Sequence, residues 1–147
     1  MQPVSVYREQ HKELLGMAEE LRPLLNREQL RIRPVAKSAH TLLCEIAAKL
    51  KDHLANEDKE LYPSLLTHSD LKVRSTAWKF ISGEHSLRLW FEAYNKKWLK
   101  NCDFEFSDEF LKDTNHLLET LAARVEREER FLFPRLEGEA DKEQTGG

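Results

Sequence analysis

Two pairs of side chains stand four residues apart in related settings: His53 with Glu57 in HLANE, and Arg124 with Glu128 in RVERE. Residues so spaced on a helix differ by about 40° in bearing and about 6 Å in height, so both project the same way. An imidazole and a carboxylate in that relation can share a cation. His11 and His85 each add one imidazole elsewhere in the chain. His11, His53, Glu57, His85 and Glu128 all interrupt otherwise apolar faces. Removing an unpaired carboxylate from water costs several kcal/mol, and two in one core repel each other. A lone buried histidine needs only a hydrogen bond, but five convergent donors need a positive centre. Imidazole nitrogen with carboxylate oxygen suits iron, with manganese or zinc also compatible. The absence of thiolates at the site argues against a structural zinc cluster.

Such convergence requires four elements, and the hydrophobic periodicity supplies them. The first helix is expected over about 4–21, with Tyr7, Leu14, Ala18 and Leu21 on one stripe and Pro23 at its end. The second runs over about 35–67, with Leu43, Ile46, Leu50, Leu54 and Leu61 inward. Ser69 and Asp70 supply a cap for the third, about 71–100, whose inner stripe is read as Leu71, Trp78, Ile81 and Leu89. Ser107 or Asp108 caps the fourth, which carries Phe110, Thr114, Leu117, Leu121 and Leu132 inward as far as Gly138.

Short connections force neighbouring helices to run antiparallel, so the expected fold is an all-α, up-down-up-down four-helix bundle. It forms one domain over 1–137, and the polar residues 138–147 form a disordered tail. HLANEDKELYP at 53–63 matches RVEREERFLFP at 124–134 at a constant offset of 71 residues, and EQHKELL around His11 matches GEHSLRL around His85. The bundle therefore reads as a duplicated helical hairpin. In antiparallel pairs, His11 near the start of one helix meets Glu57 near the end of the next, and His85 meets Glu128 in the same way. Pro63 and Pro134 lack the amide hydrogen for the carbonyls of Lys59 and Arg130, so each should kink or end its helix just past the carboxylate.

Composition bounds the rest. A chain of 147 residues that is 40% hydrophobic and 33% charged can bury one sizeable core. Lys and Arg total 23 against 26 Asp and Glu, a balance that offers no broad basic field for nucleic acid. No apolar run approaches the roughly 20 residues of a membrane span. The first residues lack the pattern of a secretory signal, and Cys44 and Cys102 have no CxxC spacing, so both read as reduced thiols of a cytoplasmic protein. Nothing specifies a protein partner.

Taken together, His11, then His53-x-x-x-Glu57 followed by Leu-Tyr-Pro, then Glu84-His85, then x-x-x-Glu128 followed by Leu-Phe-Pro resemble the hemerythrin-like HHE cation-binding family over about residues 4–136. The resemblance implies a four-helix bundle with a non-haem iron site, usually two irons bridged by carboxylates. Its family roles are dioxygen carriage or sensing, iron sensing, and repair of iron-sulfur centres. The chain departs from the pattern where a histidine is expected four residues before Glu128, which is Arg124. A second departure is Leu89, at the position where the oxygen carriers have another histidine. By the resemblance, His11, His53, Glu57 and Glu128 serve one metal, while the other keeps only His85 and the shared carboxylates.

Arg124 lies inward, where it can pair with Glu128 or reach Glu57, and its charge then competes with a second ion. Alternatively its stem reaches solvent and a dinuclear site is merely one ligand short. Tyr7, one turn before His11, is a hydrogen-bond donor behind the ligands, a contact for a bound small molecule, or a core tyrosine. Three functions are compatible with this pattern. The first is a mononuclear or weakened dinuclear iron protein that binds or senses dioxygen, nitric oxide or iron. The second is an iron-centre oxidase or iron-sulfur repair protein. The third is a metal-free interaction bundle in which Arg124 neutralises Glu57 and Glu128.

Overall fold

Pro3 precedes the first helix, where its missing amide hydrogen costs nothing, and α1 spans Val4–Leu21. In the computed structural model, residues 3–82, 87–99 and 106–137 are described, and among them there is no strand. A 3-10 turn containing Pro23 ends α1. Asn26 then caps the one-turn α2 (Arg27–Leu30) by accepting from the Gln29 amide at 2.9 Å. Pro34 lies in the first turn of α3 (Arg33–Asn56), which packs along α1 and buries Leu43, Ile46, Leu50, His53 and Leu54.

Beyond Asn56 the chain neither ends nor simply kinks. It widens into a π turn, Glu57–Leu61, in which the Tyr62 amide reaches back to the Glu57 carbonyl, and then continues as α4 (Tyr62–Leu66). The same event recurs after α7 (Asp108–Arg127): a π turn Glu128–Leu132 closes from the Phe133 amide to the Glu128 carbonyl, and residues 133–137, α8, are helical. Each wide turn opens on the glutamate and lies just ahead of a proline. Because Pro63 and Pro134 cannot donate and crowd the carbonyl one turn back, a widened turn absorbs the conflict without breaking the helix.

Asp70 caps α5 (Leu71–Ile81) by accepting from the Lys72 amide at 2.8 Å, and α6 (Leu87–Trp98) follows. Here the expected inner stripe is corrected. Leu71, Trp78 and Leu89 are 68%, 60% and 50% exposed, and Ile81 is only half-buried. The buried residues are Val73 and Ala77 on α5 and Leu87, Phe91 and Tyr94 on α6. Both sets have helical spacing, and the small Val73 and Ala77 are the pair that allows close packing of α5 on α4. Residues 83–86, with His85, lie outside the described residues, as do the turn at 100–105, with Cys102, and residues 138–147.

Ser107 caps α7 by accepting from the Phe110 amide at 3.1 Å, and Phe110, Thr114, Leu117, Leu121 and Leu132 are buried as expected. The apolar interior is in two parts. A larger cluster gathers Leu14, Leu50, Leu54, Phe91, Leu121 and their neighbours. A smaller one gathers Tyr7, Leu61, Tyr62, Leu65, Val73, Leu132 and Phe133. Along α1, His11 falls between Tyr7 of one and Leu14 of the other. Glu57 falls between Leu54 and Leu61, and Glu128 between Val125 and Leu132. The polar residues thus mark the seam between the two clusters. No described helix is long and apolar enough to cross a membrane.

Candidate metal centre

At that seam α1 contributes His11, α3 contributes His53, and the two π turns contribute Glu57 and Glu128. One ligand atom from each lies within 4.8 Å of all the others, and the group could hold a metal ion. None of the four residues is more than 4% exposed. Four of the five residues picked out for metal ligation therefore converge. The fifth, His85, lies outside the described residues.

The hydrogen bonds around the cluster determine which atoms face its centre. His53 Nδ1 lies 2.6 Å from the Gln10 side-chain oxygen, which can only accept, so Nδ1 carries the proton. In a neutral ring Nε2 then presents its lone pair, and it does so 2.8 Å from Glu57 Oε1. Two lone pairs opposed at that distance repel unless a cation lies between them. His11 Nε2 lies 3.6 Å from Glu57 Oε1 and 3.4 Å from Glu128 Oε1. Its Nδ1 looks outward to Glu129 at 3.8 Å, beyond hydrogen-bond reach. Both nitrogens of His11 and both oxygens of Glu57 are shielded from solvent and have no hydrogen-bond partner. Buried polar atoms are almost always satisfied. An ion at their centre would satisfy them together, and two imidazoles with two carboxylates match the preferences of a borderline divalent metal.

The titration behaviour follows from the same crowding. Burial pushes the Glu57 carboxyl up, but the approach of His11 and His53 in their protonated forms outweighs it and holds the group well below the usual range. Glu128 is driven up to about 7 by burial and then by the charge of Glu57. Burial lowers His11, but the facing carboxylates of Glu128 and Glu57 overcome this and raise it to about 9. Without a metal, protons therefore take over part of the neutralisation.

Arg124 does turn inward, with a side chain only 11% exposed, and its Nε is 3.6 Å from Glu128 Oε1. One terminal nitrogen donates to the Phe80 carbonyl at 2.8 Å and the other to the Tyr62 hydroxyl at 2.5 Å. Tyr62 in turn donates to Glu128 Oε2 at 3.0 Å. The guanidinium also lies 5.3 Å from the Tyr62 ring centre and 5.2 Å from that of Phe80. Burial, followed by the Glu128 charge, pushes the Tyr62 phenol well above its ordinary value, so it keeps the proton it donates. Arg124 therefore serves Glu128 both directly and through Tyr62, and it also caps the C-terminal end of α5 at Phe80. Its stem does not carry the guanidinium out into solvent.

Tyr7 is fully buried beside the ligands, with its ring 6.4 Å from His53 and 6.2 Å from Phe133. Its phenol is raised to about 12 by burial and by Glu60, Glu57 and Glu128, and its hydroxyl has no hydrogen-bond partner. Phe133 stacks on His11 at 5.3 Å and closes that side. Sequence reasoning missed Gln10 and Tyr62. Gln10 carried no signal apart from adjacency to His11. Tyr62 had one: the repeat places Phe133 at its equivalent, so a hydroxyl is present in only one half.

The family model for the hemerythrin HHE cation binding domain matches residues 2–136, and the chain belongs to that family. No curated protein and no solved structure matches the chain significantly.

Proposed function

We propose that this chain is a non-haem iron protein in which His11, His53, Glu57 and Glu128 hold one ion tightly, and that it binds or senses dioxygen, nitric oxide or iron itself. The reading includes an up-down-up-down bundle of two related hairpins, with His85 kept as a ligand for a weaker second ion. The observation that carries it is the convergence of His11, His53, Glu57 and Glu128, none more than 4% exposed, with both nitrogens of His11 and both oxygens of Glu57 lacking a hydrogen-bond partner. Bound iron would supply open coordination positions for a diatomic ligand.

The protein's own residues set the terms of that chemistry. Gln10 fixes the ring orientation and tautomer of His53. Phe133 and Tyr7 keep water from the imidazole side. Arg124 and Tyr62 draw charge from Glu128 and place a fixed cation where the family pattern has a ligand, which disfavours a second ion nearby. Anaerobic loading with ferrous iron, followed by metal analysis and exposure to air, tests the reading. The expected result is one tightly held iron per chain and a ligand-to-metal absorption band. Two tightly held irons contradict the mononuclear form.

One observation favours a second reading. The Arg124–Tyr62 network already gives Glu128 a positive partner, so a metal-free bundle acting by interaction has a basis in the structure. A colourless protein whose melting temperature does not respond to iron favours it. A catalytic role as an oxidase or repair protein rests on the family resemblance alone.

A further inference from the structure

On the outer side of Arg124, away from the ligands, a groove of about 690 Å³ runs between α5 and α7. Its size is that of a site for a compact organic molecule. Its charge is uneven: Lys79, Arg124 and Arg127 line it against the single acid Glu119. Among the described residues neither Lys79 nor Arg127 has an ion-pair partner, so two cations face the groove uncommitted. The hydroxyls along the wall are already engaged. Thr76, Ser82 and Thr120 each point back to a carbonyl one turn earlier in their own helices, at 2.8, 2.6 and 2.8 Å. Recognition there falls to charge and to apolar surface. The apolar surface is supplied by Phe80 and by Phe131, which is 49% exposed and has no core role.

We propose that this groove is a binding site for a small aromatic carboxylate. The carboxylate sits between Lys79 and Arg127, and the ring lies along Phe80 and Phe131. A singly charged ligand fits better than a phosphate ester, because Arg124 is already engaged by Glu128 and Glu119 offsets one of the two remaining cations. The metal site is not needed for this, so the inference stands or falls independently of the iron reading.

The test is calorimetric titration of the full, metal-free chain with 2-naphthoate, with the neutral 2-naphthamide as its twin. The expected result is saturable one-site binding of the acid, weakened about tenfold or more in the amide and in a Lys79→Ala, Arg127→Ala double variant. Ala123→Phe, which fills the groove from the exposed face of α7, abolishes binding without changing the melting temperature. Arg124 is left in place because it also holds Glu128. The proposal is overturned if acid and amide bind alike, if the double variant or the filled groove binds as well as the parent, or if the acid shows no saturable binding at millimolar concentration.

Discussion

Gln10 fixes the tautomer of His53 by accepting from Nδ1, and the result is that Nε2 turns its lone pair toward Glu57. Gln10→Leu should therefore lower metal affinity about 10- to 100-fold while leaving helix content unchanged, as read by competition with a chelator. The protonation of the cluster gives a second expectation. His11 in the folded chain, at about 9, lies above its ordinary 6.5, so its contribution to stability is complete below 6.5 and is lost as pH rises through about 9. Glu128, at about 7 against 4.5, contributes fully below 4.5 and loses its contribution through about 7. Glu57 has the opposite sign: its contribution is present above 4.5 and is lost on acidification. The metal-free protein should thus weaken from neutral to alkaline pH. Metal binding displaces the protons and strengthens over the same range. Melting temperatures with and without a divalent metal should diverge between about pH 6 and about pH 9, and curves that stay parallel would count against these ligands. The four converging residues were readable because a polar side chain on an apolar stripe stands out. Gln10 was not, since a polar side chain beside a ligand looks like any other on a solvated face.

At the scale of the helices, Arg124 ties the end of α5 to α7, and on the proposed reading its charge is what disfavours a second ion. Arg124→His should raise iron stoichiometry above that of the parent. It should also destabilise the metal-free protein by about 1–3 kcal/mol, because the Phe80 carbonyl and the Tyr62 hydroxyl lose their donor. Metal analysis and denaturant unfolding of the same preparation check both parts, and unchanged stoichiometry would remove Arg124 as the reason for a single ion. The start of α1, the Asp70 and Ser107 caps and the inner stripes of three segments were legible from periodicity and capping residues. The third stripe was not. Leu71, Trp78 and Leu89 are larger than Val73 and Ala77, and size was read as burial where close helix packing required small residues. The π turns were half legible: proline announced a disturbance after each glutamate, but a missing amide hydrogen does not say whether the helix stops, bends or widens.

For the molecule as a whole, the larger apolar cluster should set global stability and the seam should set metal affinity. Leu50, fully buried in that cluster, provides the contrast. Leu50→Ala should cost about 2–5 kcal/mol in both the metal-free and the metal-loaded protein and leave stoichiometry unchanged, as measured by chemical denaturation with parallel metal analysis. An equal loss of bound iron would show that the site is not insulated from the core. The fold class could be read from four amphipathic segments. The division of the interior into two clusters could not, since a continuous helical stripe looks the same whether it feeds one cluster or two.

The seam also governs how the molecule comes apart. In the metal-free protein the end containing Tyr7, Leu65 and Phe133 is coupled to the rest by backbone continuity and by the hydrogen bonds that join Arg124 to Phe80 and Tyr62 and Tyr62 to Glu128. That end can then open as its own cooperative unit. An ion gripping three separate stretches of chain fastens the two ends like a rivet. Amides of α4 and residues 133–137 should exchange with deuterium through sub-global opening in the metal-free protein, and only through global unfolding once the ion is bound.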